Sequence, residues 1–210
     1  MKKIQFFNIL IFFAVLFVAF YFYPLMPDQV ASHWNSAGEV DGYMSKFWGL
    51  FILPIIMIIT NISLFVVPKI DPNKENIEKF KESFNEFIVI FNVFFLYIYF
   101  LTIMWNIGKE FNMSVAIIPA FGFFFYFLGN LIGKAKRNYM IGIRLPWTLD
   151  NDDNWNKTHK KGEKVFKIIG IITLMGIFFG EYAMWFLFLP LIIGITYLTL
   201  YSYLEFKKEK

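Results

Sequence analysis

The sequence predicts an all-α integral membrane protein of six transmembrane helices, with both termini in the cytoplasm. Three observations carry that expectation. Of the 210 residues, 58% are hydrophobic and 22% aromatic, well above the roughly 45–50% apolar content of an ordinary soluble domain. Six stretches reach or approach the roughly 20 apolar residues that cross a hydrocarbon core: about Ile4–Tyr23, Phe47–Val67, Phe87–Trp105, Met113–Ile132, Val165–Phe179 and Tyr182–Phe206. The basic residues alternate between loops, and eighteen of the twenty fall on one face of such a bundle.

Lipid is the natural solvent for this composition. A water-facing fold could not hide 29 Phe, 11 Tyr and 6 Trp without large exposed apolar patches. With no cysteine, disulfides, thiolate metal sites and cysteine nucleophiles are excluded. The Lys-rich, Ile-, Asn-, Phe- and Tyr-rich mix is what AT-rich codon usage produces and points to a low-G+C bacterium. The expected location is the bacterial cell membrane.

Each span can be justified in turn. The first is too long for a signal-peptide core and has no small-residue cleavage site before Pro24, so it reads as a retained anchor. The fifth is the shortest, and Lys167 near its end can snorkel to the headgroups. Positive charge gathers in the N-terminal tail (Lys2, Lys3), the second loop, the fourth loop and the C-terminal tail (Lys207, Lys208, Lys210). The alternate loops hold only Lys46 and Lys109. The positive-inside rule therefore puts both termini in the cytoplasm.

The chain divides into three units: residues 1–67, two helices with an external loop; 68–132, a cytoplasmic linker and a helical hairpin; and 133–210, a cytoplasmic loop and a second hairpin. The linker opens with Pro68 and Pro72 and then reads as a short polar helix whose charges form a solvated face. Pro54, Pro119 and Pro190 recur near the outer ends of spans two, four and six. Chance accounts for this readily, because proline is common in membrane helices. The alternative is three related hairpins around an outward-facing vestibule.

No ionisable residue sits near the middle of any span, which argues against a proton-coupled transporter or ion pump. Thr60, Asn61, Asn92, Thr102 and Asn130 are expected to bridge helices more than to bind substrate. In the external loop, Asn35 to Gly38 and Asp41-Gly42 are turn signals, while Trp34 and Tyr43 suit the headgroup zone, so this loop is expected to fold onto the membrane surface. A lone His33 among Asp28, Glu39 and Asp41 is a weak metal signal, and no metal or other cofactor is expected.

In the cytoplasmic loop, Arg144-Leu-Pro146-Trp147 cannot be helical throughout, because the residue before proline leaves the α region. Asp152 is the expected N-cap of a helix running towards the fifth span. On it Trp155, Thr158, His159, Gly162 and Phe166 share one face, as in an interfacial helix flanked by lysines. Structural packing is the favoured role for Trp147, Trp155 and Gly162, and lipid-headgroup or protein contact for Arg137 and Arg144. Arg suits two-point recognition of phosphate or carboxylate, but this loop holds eight of the twenty basic residues, so finding both arginines in it carries little weight. His159 has no accompanying nucleophile pattern, and His33 lies across the bilayer from it.

These two loops carry a resemblance. Pro27, Val30, His33, Trp34, Asn35, Gly38, Asp41 and Gly42 resemble a bacterial membrane domain of unknown function with the pattern P-x-x-(I/V)-x-x-H-(W/F)-N-x-x-G-x-x-D-G. Gly129, Asn130, Asn138, Gly142, Ile143, Arg144, Pro146, Trp147, Thr148, Leu149, Trp155, Thr158 and His159 resemble the C-terminal signature of SdpI-type immunity proteins. Both motifs, in order, make the match nearly full-length. One departure is Arg137, where the family often has proline, which is expected to loosen that turn.

The resemblance implies a non-enzymatic immunity protein that protects its cell from a secreted membrane-active peptide toxin. It also implies a possible role in holding a transcriptional repressor at the membrane, without direct nucleic-acid contact. On this reading His33, Trp34, Asn35, Gly38, Asp41 and Gly42 are candidates for toxin contact. Asn130, Asn138, Arg144, Pro146, Trp147, Thr148, Trp155, Thr158 and His159 are candidates for contact with a cytoplasmic partner or membrane lipids. A membrane enzyme or lipid-modifying factor using the inner loop is the alternative, tested through Arg144 or His159 and the envelope composition. A small-molecule transporter would be separated from both by flux in proteoliposomes.

Overall fold

The computed structural model describes residues 2–208, with side chains from Phe6 onward. Lys2, Lys3 and Lys210 of the charge count fall outside the described side chains. In chain order the elements are α1 (Lys2–Phe22), β1 (Gln29–Trp34), β2 (Val40–Ser45), α2 (Lys46–Ile70), α3 (Lys74–Glu78), α4 (Lys81–Asn106), α5 (Met113–Lys134), α6 (Pro146–Asp150), α7 (Asp152–Met175) and α8 (Trp185–Lys208). The six long helices α1, α2, α4, α5, α7 and α8 are each long and apolar enough to cross a membrane. The protein is multi-pass, and an even number of crossings returns the chain to the side where it began.

Local chemistry explains the ends of the helices. Asn112 caps α5, its side-chain oxygen accepting from the Val115 N–H at 3.0 Å. Leu145 is extended (φ −107°, ψ 155°) and α6 starts on Pro146, as the restriction on the residue before proline requires. Asn151 caps α7, accepting from the Asn154 N–H at 2.7 Å. The cap is thus one residue before the expected Asp152, which instead joins Asp153 in the first turn, where the helix dipole favours carboxylates.

Two apolar clusters hold the bundle. One joins Val15 and Ala19 of α1, Leu50 and Met57 of α2, and Tyr99 and Ile103 of α4 near the outer side. The other joins Ile77, Phe80, Phe84 and Ile88 to Leu131, Ala135 and Trp155 near the cytoplasmic side. α5 and α7 approach so closely that a Cβ on Gly170 would stand 2.6 Å from the Gly122 carbonyl oxygen. In lipid, where apolar burial gives little drive, small residues make such backbone contact possible.

The bridging role expected of Asn61 and Asn92 is met by an amide clasp. Asn61 Nδ2 donates to Asn92 Oδ1 at 2.7 Å, and Asn92 Nδ2 donates to Asn61 Oδ1 and to Asn8 Oδ1, each at 3.0 Å. Three helices are tied at one level. Thr60 and Thr102 differ, because each hydroxyl donates to the carbonyl four residues earlier in its own helix.

Three expectations are corrected. The external loop is an antiparallel β-hairpin docked on the helix ends, not a segment lying on lipid. The polar face of α7 is buried in protein: Trp155 and Thr158 are fully inaccessible and His159 nearly so, because the 135–151 loop folds over it. The linker after α2 is not only a solvated face. Asp71 is buried, its carboxylate accepting from the Asn73 N–H at 2.6 Å and the Tyr139 N–H at 2.9 Å.

Candidate functional site

The external motif folds the hairpin before it can offer a surface. Asn35 Oδ1 accepts from the Ala37 and Glu39 N–H groups at 2.9 and 3.0 Å, and the Asn35 carbonyl accepts from the Gly38 N–H at 2.9 Å. Gly38 completes the turn at φ +88°, a conformation that costs L side chains dearly. A Cβ there would also strike Asn112 Oδ1 at 2.3 Å. Opposite His33, a Cβ on Gly42 would meet the His33 Cβ at 3.0 Å. His33 Nδ1 pairs with the Asp41 carboxylate, Asp28 pairs with Lys46 and Glu39 with Asn35. The three carboxylates that might have joined His33 at one ion are therefore engaged separately.

Four residues strap the hairpin to the bundle. Asn106, at the outer end of α4, accepts from the Ala31 N–H at 2.7 Å and donates to the Ala31 carbonyl at 3.0 Å. Asn112 donates to the Ala37 carbonyl at 2.8 Å, and the Ser114 hydroxyl to the Asn35 carbonyl at 3.1 Å. The Trp34 ring packs edge-on against Trp105 at 5.7 Å. Trp34 is therefore held within the protein rather than at the headgroups, while Tyr43 stays exposed.

Beneath this roof lies a cavity of about 570 Å³ that opens on the outer side. His33, Trp34 and Asn35 line it, with Ile52 and Leu53 of α2, Thr102 of α4, Ile117 of α5 and Phe188 of α8. The buried Trp34 Nε1 has no hydrogen-bond partner among the described residues. Ile52, Leu53, Ile117 and Phe188 each lie one or two residues before Pro54, Pro119 or Pro190. An outward-facing vestibule thus exists at the level of the three prolines. Gly38, Asp41 and Gly42 are not among its lining residues; their contacts shape the hairpin.

The cytoplasmic motif builds a closed polar network around α7. His159 Nε2 accepts from the Ile143 N–H at 3.0 Å, while Nδ1 lies 2.8 Å from the Trp155 carbonyl, to which it donates. That pair of bonds assigns the neutral Nδ1–H tautomer. The imidazole stacks on Trp155 at 3.9 Å, and Trp155 Nε1 donates to the Ala135 carbonyl at 2.9 Å. Gly142 has φ +129°, and a Cβ there would stand 2.5 Å from His159 Nε2. Thr148 Oγ1 accepts from the Leu145 N–H and donates to the Ile143 carbonyl, both at 2.8 Å. Asn138 closes a turn on itself, accepting from the Met140 and Ile141 N–H groups at 2.8 and 2.6 Å. Trp147 Nε1 donates to Ser202 Oγ, and Asn154 Nδ2 to the Ser202 carbonyl, both at 2.8 Å, which locks the loop to α8. Thr158 donates to Asn154 Oδ1 at 3.2 Å.

Most of the cytoplasmic candidates are therefore internal. Asn138, Thr148, Trp155, Thr158 and His159 are buried and satisfied by this network, so they form the loop and present little to a partner. Asn130 and Trp147 are half-buried, and Pro146 and Arg144 are exposed. Arg144 donates to the Tyr139 carbonyl at 2.8 Å. Arg137 does not loosen its turn: it donates to Asp152 Oδ1 at 2.7 Å and to the Leu149 carbonyl at 2.8 Å, drawing the loop towards the start of α7.

With this geometry in place, the comparisons with known proteins fall on the same two regions. The profile of a domain of unknown function (DUF1648) matches residues 9–58, which carry the outer two thirds of α1, the hairpin and the outer half of α2. The profile of the SdpI/YfhL protein family matches residues 134–202, which carry the cytoplasmic motif, α7 and most of α8. Over residues 134–202 the chain is thus similar to the SdpI/YfhL family. The chain is also similar to the immunity protein SdpI of Bacillus subtilis (strain 168), with 29% identity over 188 residues, covering 89% of this chain and 87% of that protein. No solved structure matches the chain.

Sequence reasoning missed Asn106, Asn112, Ser114 and Asp71. Asn112 carries a readable signal, an N-cap residue directly before an apolar helix. Asn106 and Asp71 carry none, since their partners at Ala31 and Tyr139 lie 75 and 68 residues away.

Proposed function

We propose that this chain is a membrane immunity protein that intercepts a secreted, membrane-active peptide toxin at its outer face. The observation carrying the proposal is the hairpin-roofed vestibule, which combines an apolar wall with an exposed imidazole and an indole N–H that has no partner among the described residues. Similarity to an immunity protein supports the general resistance role. The outer connections hold Asp28, Glu39, Asp41, Glu110 and Glu181 against Lys46 and Lys109, a balance that favours a cationic segment on an amphipathic peptide. The exposed Arg144 side of the inner loop is the surface on which a cytoplasmic repressor would be held.

The test is protection of a sensitive strain expressing the full chain, challenged with a panel of membrane-active peptide toxins. His33→Ala removes a lining side chain whose exposed ion pair contributes little to stability. Ile52→Trp fills the cavity. Both variants are expected to abolish protection while membrane abundance stays at the wild-type level. Protection surviving both would sink the proposal. Asn35 is unsuitable as a contact probe, because its removal unmakes the turn.

A further inference from the structure

On either side of the Asn8 clasp a space opens between α1, α2 and α4 that is shaped like an amphiphile. α1 packs tightly only from Ile11 outward, through Val15 and Ala19. Below that level a cavity of about 510 Å³ opens under α3 at the cytoplasmic side, and a second of about 210 Å³ continues towards Pro54. Asn8 and Asn61 line both, so the two cavities adjoin at the level of the clasp and together make an elongated groove along α2. From Lys69 to Pro54 it follows fifteen residues of α2, roughly 22 Å at the helical rise. That length spans the headgroup zone and a leaflet of roughly 15 Å.

The chemistry changes along this length. The inner part is walled by Ile11, Val15, Met57 and Ile58, which suits an acyl chain. At the level of the clasp Asn8 accepts from Asn92, but its own Nδ2 donates to nothing among the described residues, and the Asn85 side chain on the facing wall makes no hydrogen bond among them. These amides can donate to ester carbonyls. At the mouth stand Lys69, Lys74 and Lys81 with Glu75 and Glu78. Lys81 is paired with Glu78, whereas Lys69 lies over the Phe65 ring and neither it nor Lys74 is ion-paired among the described residues. Two ammonium groups are thus left for an anion against the single carboxylate of Glu75.

We infer that this groove binds one anionic phospholipid of the cytoplasmic leaflet, with its phosphate at Lys69 and Lys74, its ester groups at Asn8 and Asn85, and an acyl chain running between α1 and α2 towards Pro54. The lipid completes the packing of α1, which among the described residues reaches the clasp through Asn8.

Native mass spectrometry of the full chain released from detergent micelles tests this, using phosphatidylglycerol and phosphatidylcholine with identical acyl chains. Wild type is expected to retain one phosphatidylglycerol and far less phosphatidylcholine. The K69Q/K74Q double variant is expected to bind phosphatidylglycerol roughly thirty-fold more weakly, from the loss of two cationic contacts near the membrane surface. K207Q/K208Q, an equal charge loss elsewhere on the cytoplasmic rim, is expected to bind like wild type. Leu64→Trp fills the groove with its charges intact and is expected to abolish retention. Equal retention of both lipids, a K69Q/K74Q variant no weaker than K207Q/K208Q, or displacement by equimolar palmitate would overturn the inference.

Discussion

Replacing Gly142 by alanine tests how the cytoplasmic motif is built. Two costs add at this position. The backbone sits at φ +129°, where a non-glycine residue costs about 1–3 kcal/mol. The new methyl would also lie 2.5 Å from His159 Nε2 and 3.0 Å from the Trp155 ring. His159 cannot retreat freely, because it is stacked on Trp155 and fixed at both ring nitrogens. Its displacement leaves the Ile143 N–H unsatisfied, at about 1–3 kcal/mol. The expected loss is therefore about 2–6 kcal/mol, a large part of the stability of an ordinary domain. Gly108→Ala is the matched control: Gly108 also has positive φ (+89°), but nothing lies within 4 Å of its Cβ position, so only the backbone cost applies. Reversible unfolding of the purified protein in mixed micelles, followed by tryptophan fluorescence, measures both. If Gly142→Ala is no more destabilising than Gly108→Ala, the close approach of loop to imidazole is not a source of stability and the account of the motif fails.

The other structural predictions are smaller. His159→Phe keeps the stack on Trp155 but removes the acceptor for Ile143, and is expected to cost about 1–3 kcal/mol in the same unfolding assay. Asn92→Leu breaks three interhelical hydrogen bonds and should lower stability by about 2 kcal/mol, at the roughly 0.6 kcal/mol typical of each such bond in a membrane protein. Asn106→Leu releases both bonds to Ala31, so hydrogen exchange at the hairpin amides should accelerate about ten-fold or more, on the scale of about 1 kcal/mol per bond, while exchange in the α5–α7 contact stays unchanged. Arg137→Ala removes a half-exposed ion pair and should cost under about 1 kcal/mol when scored by thermal unfolding.

Six crossings and their order were legible in the sequence, because hydropathy is local and additive along the chain. Backbone hydrogen bonding in lipid leaves helices as the simple solution once apolar length is given. The break at Leu145-Pro146 was legible for the same kind of reason, a steric rule between adjacent residues. The clasp at Asn61 and Asn92 was half legible: polar amides inside spans announce a bridge, but not that Asn8 completes it.

Tertiary structure decided what the motif residues do. Trp155, Thr158 and His159 share a helical face in any reading, yet the same stripe could have met lipid or protein. Only the fold of residues 135–151 over α7 made it internal. The external loop has turn signals at Asn35 and Gly38, but its strands pair and dock because Asn106, Asn112 and Ser114 bring partners from helix ends far away in sequence. The recurrence of Pro54, Pro119 and Pro190 hinted at the vestibule without giving its walls, and the inner groove has no sequence signature, since each is a gap bounded by residues from three or more helices. Sequence fixes where a chain can cross a membrane through short-range chemistry; spaces between helices arise from how their side chains meet, and that is settled only when the bundle packs.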